Sequence, residues 1–399
     1  MLGQDWMQAT SNMTAMTSDV VIIGGGITGT AAAYDLARAG VSVTLVERGT
    51  LAAMASGWTL AGVRQSGRHP AELPLATAAV RRWEHLSDEL GADVQYRQGG
   101  NLRLARTPDE VPIIANLVQE QRAMGLDLTF LPDNEAVRTI APALGPTVLA
   151  ASFCPSDGHA NPHAVVGAFA AAAERHGATL LTGTTVTQIQ LDGRRVRGVE
   201  TTAGPIATDT VVIAAGVYSG RLCAALGLDL PIQTRHVSVA QTVPLPPLIQ
   251  QVIGVANADI AGRQEVDGRF RMTPGSQPWQ WPSAELAADG IQPPIAELVA
   301  LLTRAIAILP DLARAGIARV WGGLLDMTPD ALPVIERAPE LDGLVIAAGF
   351  SGHGFCLGPI SGRIIADLIT RGESSLPIEP FRRSRFSSVV GTAKAELHG

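Results

Sequence analysis

DVVIIGGGITGTAAAYDLARAGVSVTLVE, residues 19–47, holds in order an apolar β-branched run, a glycine turn, a helix-favouring stretch, a second apolar run and a terminal acid. Residues 19–23 read as a strand buried on both faces. Gly24-Gly25-Gly26-Ile27-Thr28-Gly29 satisfies G-x-G-x-x-G, residues 28–39 favour helix, and Gly40 is a natural stop. VSVTLV is the next strand, and Glu47 ends it, 23 positions after Gly24. In such a unit Gly24 permits the tight turn, Gly26 lets the backbone approach a pyrophosphate, and Gly29 lets helix and strand pack closely. The pyrophosphate sits on the helix amino terminus, and Glu47 accepts hydrogen bonds from a ribose. The acid favours an unphosphorylated ribose, so FAD or NAD is expected rather than NADP.

The stretch after Glu47 bears on that choice. Residues 47–73 continue as small, polar and glycine residues suited to threading along an extended ligand, not as another helix and strand. Further sheet elements come far downstream. Residues 176–216 read as a strand, a hairpin turning at Asp192-Gly193, and a closing strand ending in Ala-Ala-Gly at Gly216. GLVIAAGFSGHGF, residues 343–355, is another apolar strand that ends in glycines, and four residues later the helix-like ISGRIIADLIT follows.

The 399 residues, 46% hydrophobic and 17% charged, suffice for two connected domains. A net charge of −7 argues against nucleic acid or an anionic membrane as the main partner. Cys154, Cys223 and Cys356 show no CxxC or CxxH spacing, so neither a disulfide framework nor a metal site is expected, and a reducing cytoplasm is the plain setting. Residues 1–18 read as a loose tail without the pattern of a secretory signal. The most apolar run, residues 164–173, is half the roughly 20 residues that a bilayer requires. It reads as a buried helix capped by Asn161-Pro162. IAELVALLTRAIAILP, residues 295–310, has apolar positions at helical spacing and is expected to be core. Lys394 is the only lysine, so 29 of the 30 basic residues are arginine.

These pieces resemble the D-amino-acid oxidase superfamily of FAD-dependent oxidoreductases over roughly residues 19–385. The resemblance rests on GGGITG with Glu47, Ala55-Ser56-Gly57 before GVRQ, VVIAAG, and WGGLLDMTPDALPVI followed by GLVIAAGFSGHGF. It is closest to the sarcosine oxidase β subunit and the dye-linked proline, hydroxyproline or opine dehydrogenases. The implied fold is α/β: a Rossmann-like FAD-binding domain of glutathione-reductase type with an interleaved antiparallel β-sheet substrate domain. The expected division is 19–90, 151–224 and 316–385 for FAD, 91–150 and 225–315 for substrate, with tails 1–18 and 386–399.

The resemblance implies that Ile27 and Thr28 meet the pyrophosphate, Glu47 and Arg48 the adenosine, and Val186 the adenine edge. Ala55, Ser56, Gly62 and Val63 would track the diphosphate and ring. The turn of Gly349, Ser351, Gly352, His353, Gly354 and Phe355 would lie against the flavin, with the following helix aimed at the ring's pyrimidine edge. His353 either contacts flavin or substrate or fixes the turn.

Departures from the family follow. Gly323 stands where monomeric sarcosine oxidase carries its flavin-linked cysteine, so non-covalent FAD is expected. Leu325 and Gly352 stand where glycine oxidase has its carboxylate-binding arginines. Cys356 replaces a lysine used for the same purpose, and no lysine can match the one that activates oxygen. The resemblance implies Arg64, in GVRQ, as the carboxylate grip, since it matches an arginine that contacts the carboxylate in sarcosine oxidase; Arg271, Arg235 and Arg269 are in reserve. His236 lies near where heterotetrameric relatives attach an FMN at a subunit interface. The implied activity is oxidation of an amine C–N bond by a dehydrogenase with partner subunits; the alternative is a flavin-bound electron-relay or assembly subunit.

Overall fold

A computed structural model describes residues 16–279 and 291–388. Its six-stranded sheet runs in the order Val334–Arg337, Leu344–Ala348, Val211–Ile213, Val20–Ile23, Val43–Val46, Thr179–Leu181. All neighbours are parallel except the first pair. The four strands from Leu344–Ala348 to Val43–Val46 in that order are buried along their whole length, as expected of continuous apolar runs covered on both faces.

Side-chain alternation divides that cover into two layers. Val20, Ile22, Val43, Leu45, Val212 and Val345 pack on the helix side, against the helices Ile27–Arg38, Leu73–Leu90, Pro162–Arg175 and Gly354–Thr370. Val21, Ile23, Val46, Val211, Ile213 and Ile346 face the other way, against Ile189, Val196 and Val199 of the antiparallel hairpin Val186–Asp192/Arg195–Thr201. Asn161 caps the Pro162–Arg175 helix by accepting the Ala164 N–H at 3.0 Å. The helices Ile27–Arg38 and Gly354–Thr370 approach so closely that a Cβ on Gly362 would lie 2.6 Å from the Ala31 carbonyl carbon. One on Gly358 would lie 2.4 Å from Ile27 Cγ2.

The larger, nine-stranded sheet is mostly antiparallel and includes Asn101–Ala105, Ala150–Cys154, Gln233–Thr242, Val252–Val255, Ala261–Gln264, Phe270–Thr273 and Ile317–Met327. Ala150–Cys154 and Ile317–Met327 thus hydrogen-bond into this sheet, although their positions in the chain group most of their residues with the cofactor segments. Pairing across the sheet decides where a border strand goes, and linear order does not show it.

The helix Ile295–Ile308 departs from the core expectation. Leu301, Ala305 and Ile308 are buried, whereas Ile295 is 80% and Val299 59% exposed. Only one stripe of a helix can face one sheet, whatever the composition of the rest. No helix among the described residues is long and apolar enough to cross a membrane.

Candidate active site and cofactor cleft

A cavity of about 480 Å³ runs from Glu47, Arg48 and Thr184–Thr187, past the glycine turn, to Leu324–Asp326, Gly352, Gly354 and Phe355. Gly24 makes the turn at φ +119°, and a Cβ there would lie 2.3 Å from the Ala214 carbonyl oxygen. The Ile27–Arg38 helix starts at Gly26 with no side-chain cap and no acid in its first turn, so its amino-terminal partial charge faces the cavity. Ser56 Oγ accepts the Ile27 N–H at 3.0 Å. Glu47 is pinned at both oxygens by the Gly25 and Gly49 amides, each at 2.7 Å, and lines the cavity beside them. Arg48 stacks over Tyr218 at 4.4 Å from the ring centre. At the far end the Gly354–Thr370 helix, also without a side-chain cap, presents Gly354 and Phe355. Two helix starts and one fixed carboxylate along one elongated cleft fit FAD: the Gly26–Thr28 start would hold its phosphates and the Gly354 start would stabilise an electron-rich ring edge.

Of the cofactor residues named from sequence, Gly24, Gly26, Ile27, Thr28, Glu47, Arg48, Ala55, Ser56, Val186, Gly216, Gly352, Gly354 and Phe355 line this cavity. Gly29 serves packing: a Cβ there would lie 2.0 Å from the Gly24 carbonyl oxygen. Gly62 and Val63 lie outside the lining; they pair with Gly158–His159, and Val63 is in the core. Gly349 and Ser351 also stand behind the wall. The Gly349 N–H donates to Asp326 Oδ2 at 2.8 Å, and Ser351, at φ +53°, accepts the Thr328 N–H on Oγ at 3.1 Å. Asp326, which lines the cavity, was not apparent from sequence; its signal is a carboxylate inside the apolar strand WGGLLDM. Burial pushes its carboxyl up to about 6.

A second cavity of about 170 Å³ opens beside the ring end and shares Ala55, Thr59, Leu324, Leu325 and Gly352 with the first. Trp58 stands at its wall, against Gly323, where an added Cβ would lie 2.8 Å from the indole.

None of the four candidate catalytic residues lines either cavity. His353 turns inward, and its Nδ1 lies 3.1 Å from Glu72 Oε1. Burial pushes His353 down to about 4, which leaves a neutral imidazole at pH 7. Burial alone would raise Glu72, but His353 and Arg68 outweigh it and hold the carboxyl at about 2. Arg64 Nη1 donates to the Ser66 carbonyl at 2.6 Å. Arg271 pairs with Glu265 and donates to the Thr59 carbonyl at 2.8 Å. His236 lies on the face of the Gln233–Thr242 strand opposite to Val237 and Val239, which line the second cavity. Its Nε2 is buried against Gly322. Arg235 is held by Ser276, and Arg269 makes an exposed pair with Asp267. Arg103, not singled out from sequence, has no hydrogen-bond or ion-pair partner among the described residues, and burial lowers it to about 10.

A cofactor-length cleft meeting a small chamber at one end defines a dinucleotide-dependent redox enzyme. The chain belongs to the FAD-dependent oxidoreductase (DAO) family, whose model matches residues 19–368. It is 30% identical to glycine oxidase of Geobacillus kaustophilus, covering 94% of this chain and 98% of that one. It is also 30% identical to the sarcosine oxidase β subunit of Arthrobacter sp., covering 93% and 91%. L-proline dehydrogenase from P. horikoshii superposes with a TM-score of 0.86 at 30% identity, over 94% of this chain and 98% of that one.

Proposed function

We propose that this FAD enzyme oxidises the C–N bond of an amino acid or secondary amine, of the proline, sarcosine or opine type, to an imine that water then hydrolyses. The observation that carries the reading is the small chamber joined to the ring end of the cleft through Ala55, Thr59, Leu324, Leu325 and Gly352. FAD, when bound, supplies the hydride acceptor. The chain's own part is to position the amine carbon and exclude water. No charged side chain lines the chamber, and such a surrounding favours the neutral amine over its ammonium form. An electron-relay subunit has no need of a substrate-sized chamber.

Several finer points belong to the same proposal. Non-covalent FAD is supported by Gly323, which offers no thiol, and by Trp58 filling the space beside it. Dehydrogenase rather than oxidase is supported by the absence of lysine from residues 1–393. Partner subunits are supported by the likeness to a sarcosine oxidase β subunit. The turn residues Gly349, Ser351 and His353 serve as positioning groups behind the ring-end wall. The two large sheets support division into cofactor and substrate units, and three unpaired, buried cysteines support a cytoplasmic location. The test is anaerobic mixing of the purified yellow protein with amino acids, N-methyl amino acids, proline analogues and opines. Bleaching of the yellow band by at least one of them is expected; bleaching by none would sink the reading.

A further inference from the structure

We propose that the second cavity selects amines bearing one uncharged, apolar substituent of about six carbon atoms, a group the size of a cyclohexyl or phenyl ring. The inference rests on the amine-oxidation reading and narrows its substrate class, away from opines with their second carboxylate and towards amines with an apolar group. The chamber holds about 170 Å³, and its walls include Trp58, Leu60, Val237, Val239, Val255 and Ile260. An apolar protein cavity of about 150 Å³ takes up a benzene molecule, so the volume suits one ring.

Besides the Trp58 indole, the polar side chains of the lining are three hydroxyls, and each is already bonded. Thr59 Oγ1 accepts the Ala61 N–H at 3.1 Å, Thr273 Oγ1 donates to the Ser238 carbonyl at 2.9 Å, and Ser276 Oγ accepts from Arg235 Nε at 2.8 Å. A second carboxylate or an ammonium on the substituent would lose its water without gaining a counter-ion from the lining. A substrate as small as glycine would leave the chamber unfilled. Gly254 forms part of the wall, and a Cβ built on it meets nothing within 4 Å, so a side chain there projects into open space.

The test uses the FAD-loaded protein and two kinds of probe. Inert acids, namely acetate, cyclohexylacetate and adipate, are titrated by calorimetry and by perturbation of the flavin band. Each buried methylene gains about fourfold in affinity, so cyclohexylacetate should bind at least about a hundredfold tighter than acetate. Adipate should gain nothing over acetate. Cyclohexylalanine and N-(cyclohexylmethyl)glycine, which place the ring on carbon or on nitrogen, are compared anaerobically with glycine and glutamate. At least one ring-bearing amine should bleach the flavin at a hundredfold lower concentration than glycine. Gly254→Val should retain FAD and melting temperature yet bind cyclohexylacetate at least tenfold more weakly. Equal binding of acetate and cyclohexylacetate, or adipate matching the ring compound, overturns the proposal. Tight cyclohexylacetate binding that Gly254→Val weakens, with no amine bleaching the flavin, supports the chamber's preference and rejects amine oxidation instead.

Discussion

His353 Nδ1 and Glu72 Oε2 lie 3.0 Å apart, both side chains buried, and join the turn at the ring end of the cleft to the start of the Leu73–Leu90 helix. Arg68 also contacts this carboxylate, its Nη1 3.4 Å from Glu72 Oε2. A neutral imidazole donating to a charged carboxylate is a state that acid disrupts.

Both groups are depressed in the folded protein, His353 from 6.5 to about 4 and Glu72 from 4.5 to about 2. Each therefore contributes stability that is present above its unfolded value and lost as pH falls towards its folded one. The histidine acts first, as pH falls from 6.5 towards 4. Melting temperature should fall across that window, and His353→Gln should flatten the fall. A wild-type curve level from pH 6.5 to 4 would contradict the assignment.

Glu47 should govern retention of the cofactor. Glu47→Ala removes the acceptor of two backbone amides together with the group placed for a ribose, and each charged hydrogen bond is worth about 1.5–3 kcal/mol. Ten- to hundredfold weaker FAD binding is expected in equilibrium dialysis. Undiminished affinity would take Glu47 out of the binding role.

Acid precipitation should leave a colourless pellet and intact FAD in solution. Gly323 carries no thiol, and the His236 imidazole is buried between the sheet and Glu297. A yellow pellet would identify a covalent link by peptide mapping.

Reoxidation of the substrate-reduced protein should be slow in air and fast with an artificial dye. A positive charge beside the ring speeds reaction with oxygen, and the described residues include no lysine to supply one. Stopped-flow mixing with aerated buffer measures this directly. Reoxidation outpacing reduction at ambient oxygen would make the enzyme an oxidase.

Gly362→Val should destabilise the fold by at least about 1–3 kcal/mol, since the added atoms collide with the Ala31–Ala32 backbone. Thermal unfolding reports it; a melting temperature within a degree of wild type would mean that the two helices can separate cheaply.

The cleft was legible in the sequence because its chemistry is local: a glycine turn, a helix start and an acid all fall within 19–47, and most residues named there line the cavity. The substrate side was not legible, because faces and partners decide it. His236 looks available in TRHVSV, yet alternation along the strand sends Val237 and Val239 to the chamber and His236 away from it. Arg64 is drawn aside by the Ser66 carbonyl two residues on, a bond that composition cannot announce. Trp58 and Asp326 reach the cavities through packing against Gly323 and the Gly349 amide, contacts between distant segments.

The crossing of Ile27–Arg38 with Gly354–Thr370 has one more consequence. Gly358 and Gly362 seat the second helix tightly against the Ile27 side chain and the Ala31–Ala32 backbone of the first, which fixes the distance between the two amino termini. The cleft is thereby a gauge of ligand length. A molecule must reach from one terminus to the other to engage both, and FMN, lacking the adenylate half, cannot also reach Glu47 and Arg48 when its ring occupies the far end. Discrimination between the two flavins then follows from the rigidity of a helix pair, with no side chain devoted to rejecting the shorter one.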